Sequence, residues 1–162
     1  MGLQTDIIFV KALREDADLI AQLPAGDVYN TTIALPDEDL DNAPVPYIIV
    51  KLDGGTNDES TKDDCESSID KVNVSIDIAA KTRNQLGALA VQVRKQVHRF
   101  IMNAEQSEMT DEEFDMVPLD YFFSFGSVNY DPDKPCYWQT LSYQCDVRND
   151  IIEDENDEQK ED

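Results

Sequence analysis

At 162 residues and 18.3 kDa, with 41% hydrophobic residues, the chain is long enough to bury the core of one domain. Its 35 acidic against 13 basic residues give a formal charge of -22, which argues against a broad surface that grips a nucleic-acid backbone. No apolar run reaches the roughly 18 residues of a membrane span, and Met1–Asp6 has neither the basic start nor the apolar centre of a signal peptide, so the chain reads as cytoplasmic.

In chain order, Ile7, Val10, Leu13 and Ala17 predict an N-terminal helix, continued or restarted through Leu19, Ile20 and Leu23 until Pro24 and Gly26 stop it. Val28 to Ile33 leans towards strand. An acidic loop from Pro36 to Pro44 follows, and then Val45-Pro46-Tyr47-Ile48-Ile49-Val50-Lys51-Leu52 reads as a strand that stops at Asp53-Gly54-Gly55. Residues 53 to 68 are polar and read as a loop.

Ile69 to Ala80 alternates, with Val72, Val74, Ile76 and Ile78 on one face and Asn73, Ser75 and Asp77 on the other, the pattern of a half-buried strand. Past Lys81, Thr82 is placed to cap a helix whose apolar residues recur at Leu86, Leu89, Ala90, Val93, Val97, Phe100 and Ile101. Residues 103 to 119 are acidic and irregular, with Thr110 and Glu113 at capping-box spacing. Tyr121 to Tyr130 and Cys136 to Val147 read as two aromatic-rich strands joined by Asp131-Pro132-Asp133-Lys134-Pro135. Residues 149 to 162 carry eight acids and one lysine, the composition of a disordered tail. The expected fold class is α+β, a mainly antiparallel sheet packed by an N-terminal helix and a long central helix, with residues 1–148 as one domain and 149–162 as an acidic C-terminal tail.

Motifs that carry chemistry are scarce. Asp37, Asp39 and Asp41 have the first spacings of a calcium loop, but Asn42 stands where glycine is needed and Ile48 where the closing glutamate belongs. His98 is the only histidine, and Cys65, Cys136 and Cys145 fit no zinc or redox spacing, so three free thiols and a surface histidine are expected. There is no nucleophile elbow, phosphate-cradling glycine loop or HExxH, so nothing positive supports an enzyme, and no catalytic, cofactor-binding or metal residue is assigned. The run Tyr121-Phe122-Phe123-Ser124-Phe125 reads as a strand with both faces covered rather than a base-stacking platform, because no basic groove accompanies it.

The bases are unevenly spread. Lys81, Arg83, Arg94, Lys95 and Arg99 lie in the segment 79–104, which has no Asp or Glu. On a helical wheel they fall mainly opposite the Leu86, Val93, Val97 stripe, together with Gly87, Ala88 and Val91. A glycine inside a helix costs about 1 kcal/mol relative to alanine, so either it is incidental on a solvated face or another backbone comes close to it. The second reading makes Gly87, Val91, Arg94, Lys95 and Arg99 a subunit contact, where this facet meets the acidic surface of the next copy.

The order of these elements resembles that of the tail terminator or tail completion proteins of long-tailed bacteriophages and related minor tail and head-tail joining proteins. The resemblance covers about residues 5 to 148 and rests on the N-terminal helix, the Val45-Pro46-Tyr47-Ile48-Ile49-Val50 strand, the polar loop, the strand Val72–Ala80, the helix Arg83–Ile101 and the late strands ending in Tyr143-Gln144-Cys145-Asp146-Val147. The acidic stretch around 103–118 and the acidic tail depart from the pattern. What the resemblance implies is a structural virion protein in the tail-neck region, assembled in the host cytoplasm. It implies a ring, usually hexameric, that ends the tail tube and joins it to the head connector. The partners would be further copies of the chain, the tail tube protein and a connector or neck protein, with no membrane and no cofactor. DNA would pass an acidic lumen without specific binding. An acidic mimic of DNA that inhibits a nucleic-acid enzyme, or another neck or head-tail adaptor protein, are the alternatives.

Overall fold

The computed structural model describes residues 5–30, 43–57, 68–104 and 118–149. The elements are α1 (Thr5–Arg14), α2 (Ala17–Ala21), β1 (Tyr29–Asn30), β2 (Tyr47–Asn57), β3 (Ser68–Ala80), α3 (Arg83–Ala104), β4 (Pro118–Phe125), β5 (Asn129–Asp131) and β6 (Cys136–Asn149). The strands form one sheet in the order β1-β2-β3-β6-β4, with β5 also paired to β6; among the described residues only the β1–β2 pair is parallel. This is the expected α+β architecture. The Asp37–Asp41 series, the Thr110/Glu113 pair, Cys65 and the acidic tail lie outside the described residues.

The alternation along β3 becomes the centre of the core. Val72, Val74, Ile76 and Ile78 share a buried cluster with Ile48 and Val50 of β2 and with Leu141, Tyr143, Cys145 and Val147 of β6. Above them lie α1, through Ile8, Phe9, Ala12 and Leu13, and α3, through Leu86, Leu89, Val93, Val97, Phe100 and Ile101. The other sheet face is polar at its middle: Thr140 Oγ1 donates to Asp77 Oδ1 at 2.7 Å, and Lys51 pairs with the other oxygen of Asp77. Two layers suffice because only one sheet face is apolar throughout.

Local chemistry sets the breaks. Asp16 caps α2 by accepting from the Leu19 N–H at 3.2 Å, and Gly26, at φ +68°, ends the turn beyond it. In β2 the strand does not stop at Asp53-Gly54-Gly55 as the sequence suggested; it continues to Asn57 across a register shift between Leu52 and Gly54. Glycine permits this. Gly54 has φ +103°, and a Cβ on Gly55 would stand 2.5 Å from the Lys71 carbonyl oxygen of β3. In the Val28–Ile33 stretch, the described part of the strand is Tyr29–Asn30.

The aromatic run departs from expectation. β4 pairs with β6 on one side, and among the described residues no strand pairs with its other side. Phe122, on the polar face, is 68% exposed, and Phe125, on the helical face, is 67% exposed. The reading of a strand covered on both faces is therefore corrected. Coverage depends on a strand's place in the sheet, and α3 lies over β3 and β6 rather than over the far end of β4.

Candidate subunit-contact surface

The helix α3 is built to present two unlike faces. Its start is a capping box: Thr82 Oγ1 accepts from the Gln85 N–H at 3.1 Å, while Gln85 Oε1 accepts from the Lys81 N–H at 3.1 Å. From there 22 residues run without an acid, and the inward stripe is buried from Leu86 to Ile101. Glutamines fasten its flank to the N-terminal helices. Gln96 Nε2 donates to the Ala12 carbonyl at 2.8 Å, Gln92 Nε2 donates to Asp16 Oδ2 at 3.3 Å, and Gln22 Nε2 donates to Gln92 Oε1 at 3.0 Å.

Outside this seam lies an open groove of about 580 Å³ lined by Asp16, Gly87, Ala88, Val91, Gln92, Lys95, Gln96 and Arg99. Four of the five residues assigned to the facet from sequence thus line one depression. Its floor is small and apolar, and its basic wall is Lys95 and Arg99. Val91 is 54% exposed, an apolar side chain left facing out of the helix. A Cβ added to Gly87 would meet nothing within 4 Å, so packing within the chain does not demand glycine there. Among the described residues, neither Lys95 nor Arg99 has an ion pair of the kind seen at Arg14–Asp27 and Lys51–Asp77.

The fifth residue, Arg94, turns the other way. Its guanidinium carbon lies 4.2 Å from the centroid of the Phe123 ring on β4, in cation–π geometry. Next to it His98 Nδ1 shares a hydrogen bond with Tyr121 Oη, so the single histidine ties α3 to the edge strand. Tyr121, Phe123, Tyr143 and Phe9 continue inward as a chain of tilted rings, with centroids of Tyr143 5.1 Å from both Phe9 and Phe123. Arg94 is therefore spent within the subunit, and the groove's free bases are Lys95 and Arg99.

A second surface is one that periodicity did not single out. Phe122 lines a shallow depression of about 320 Å³ on the polar sheet face with Asp53, Asn73, Ser124, Ser142 and Gln144. Phe125, Val128 and Tyr130 are exposed along the same edge of the molecule. The only sequence signal for this patch was the aromatic run itself, and composition cannot say which of its rings face solvent.

Burial pushes the Cys145 thiol up to about 12, with Asp146 adding to the effect, and burial likewise raises Cys136, so both thiols are held protonated. Burial also raises Tyr143. Among the described residues, no three His, Cys, Asp or Glu side chains gather as metal ligands, and no helix is long and apolar enough to cross a membrane.

No family model matches the sequence, and no curated protein matches it. The fold, however, is similar to that of a chain in the solved structure of the virion of a native gene transfer agent particle. The TM-score is 0.53 at 14% identity, and the match covers 89% of this chain and 94% of that one. At that identity the likeness establishes a shared fold, spanning nearly the whole of both chains.

Proposed function

We propose that this protein is a structural component of a phage-like virion, and more specifically a subunit of the ring that ends the tail tube and meets the head connector. The observation that carries the reading is the end-to-end similarity in fold to a chain of a gene transfer agent virion. A ring subunit needs two different patches that meet between copies. The groove of α3, with its small residues and two unpaired bases, supplies one such patch in a chain whose overall charge is -22. Acidic surface elsewhere on the next copy supplies a counterpart, and the same excess of acid gives a lumen that does not bind passing DNA.

The test is assembly. Native mass spectrometry and negative-stain imaging of the protein, alone and mixed with its tail tube protein, should show closed rings, six-membered by this reading. Virions lacking the protein should carry tubes of uncontrolled length or heads without tails. A chain that stays monomeric with the tube protein present, in particles whose tails are normal without it, removes the ring-terminator role.

A further inference from the structure

Seven large apolar side chains stand exposed among the described residues, and they fall into two groups. Val91 and Met102 lie on α3, on the side turned away from its buried stripe. Phe122, Phe125, Val128, Tyr130 and Trp138 lie along the margin of the sheet formed by β4, β5 and the part of β6 that faces β5.

This margin is a fixed surface. β3 occupies one side of β6 from Tyr137 to Asn149, so β4 and β5 follow one another along the other side. Gly126 fastens the join between them: its N–H donates to the Thr140 carbonyl at 2.9 Å, and its own carbonyl accepts from Gln139 Nε2 at 2.9 Å. Past β5, Asp131 Oδ1 accepts from the Asp133 N–H at 3.0 Å and holds the turn into β6. α3 covers the first part of the margin, where Arg94 and His98 meet Phe123 and Tyr121, and leaves Phe125 and Tyr130 exposed.

The two groups carry opposite charge. Residues 83–104 hold four Arg or Lys and no acid, whereas residues 118–146 hold four Asp and one Lys. They do not meet within one subunit. At 3.6 residues per turn, Lys95 and Arg99 stand about 100° and about 140° round the helix from Arg94, and Arg94 is the one that faces β4. Neither group suits a copy of itself, since two α3 faces would set Lys95 and Arg99 against the same bases, and two margins would set Asp131 and Asp133 against the same acids.

We propose that the α3 groove of one copy receives the β4–β5 margin of the next, with Phe125 on the small floor of Gly87, Ala88 and Val91, and Lys95 and Arg99 against the rings and carboxylates beside it. Arg94 over Phe123 shows the same kind of base-on-ring contact inside the subunit. The contact is head-to-tail, so each copy keeps one free groove and one free margin until a further copy binds or the assembly closes. It is the counterpart that the ring reading leaves open, and it rests on that reading only in needing a second copy.

The test is sedimentation velocity of the full chain over a range of concentrations. The parent should associate, and Lys95→Glu/Arg99→Glu and Phe125→Ser/Tyr130→Ser should each weaken association about tenfold or more, with the melting temperature unchanged. Should the double serine variant melt early, Phe125→Ser alone takes its place. An equal mixture of the groove and margin variants should form dimers and nothing larger, because one supplies the intact margin, the other the intact groove, and no second intact pair is left. A monomeric parent, undiminished association in either variant, or a mixture no more associated than its parts overturns the proposal. Open chains of the parent, lost in both variants and restored only to dimers in the mixture, uphold the contact while removing the closed ring. Closed rings that persist in either variant keep the ring and remove this contact.

Discussion

β3 and β4 pair with opposite sides of the same strand, β6, yet they have opposite fates. β3, with neighbours on both sides and α3 above, buries Val72, Val74, Ile76 and Ile78. β4, richer in aromatic residues, leaves Phe122 and Phe125 mostly in solvent. Apolar content therefore does not rank the two strands by burial; position in the sheet does. One region holds the fold, and the other is available for contact with something else.

The largest expected effect lies in the buried region. Val93, fully buried between α3 and the sheet, has no partner for a charge, so Val93→Asp should cost about 3–5 kcal/mol, measured as a loss in urea midpoint. Unchanged stability would mean that the inward face of α3 is not the one described.

An alkaline transition is the second test. The folded state keeps the Cys145 thiol protonated to about 12 against an ordinary value of 9.0. This stabilisation is complete below pH 9.0 and is lost as pH rises towards 12, because the unfolded chain releases the proton first. At about pH 10 the loss amounts to about 1.4 kcal/mol for this one group. Chemical denaturation at pH 8 and pH 10 should show that Cys145→Ala loses less stability over this interval than the parent.

The bases of α3 separate the two regions again. Arg94→Ala removes the contact with Phe123 and should cost about 0.5–1 kcal/mol. Arg99→Ala should change stability by less than about 0.5 kcal/mol, and, if the ring role proposed above holds, should reduce assembly between copies. Equal melting temperatures for the two variants would place Arg94 in the groove after all, with Lys95 and Arg99.

The smallest effect belongs to the bare edge. Phe122→Ser should leave thermal stability within about 0.5 kcal/mol of the parent, because the ring is already in water. A loss above about 2 kcal/mol would show that β4 is covered in solution and that its contrast with β3 is false.

Much of this was legible in advance because it is local. The alternation of β3, the cap at Thr82 and the inward stripe of α3 follow from periods of two and 3.6 residues, and each stands in the structure as the residues suggested. The same periodicity put Gly87, Val91, Lys95 and Arg99 on one side of the helix. Arg94 was grouped with them because a helical wheel gives an angle but not what lies beyond it. It sits at the border of the buried stripe, and the ring it meets comes from β4, 29 positions later in the chain.

The extension of β2 through Asp53-Gly54-Gly55 was hidden for a similar reason. Glycines that end a strand and glycines that let it bulge look alike until the partner strand is in place. What the amino-acid order determined by itself is which residues belong to which element and which face of each is apolar, since steric and hydrophobic periodicity act over a few residues. Which strand would be an edge, which aromatic rings would stay in solvent and which arginine would be used within the subunit were decided only by the tertiary structure, because each depends on a pairing between distant segments.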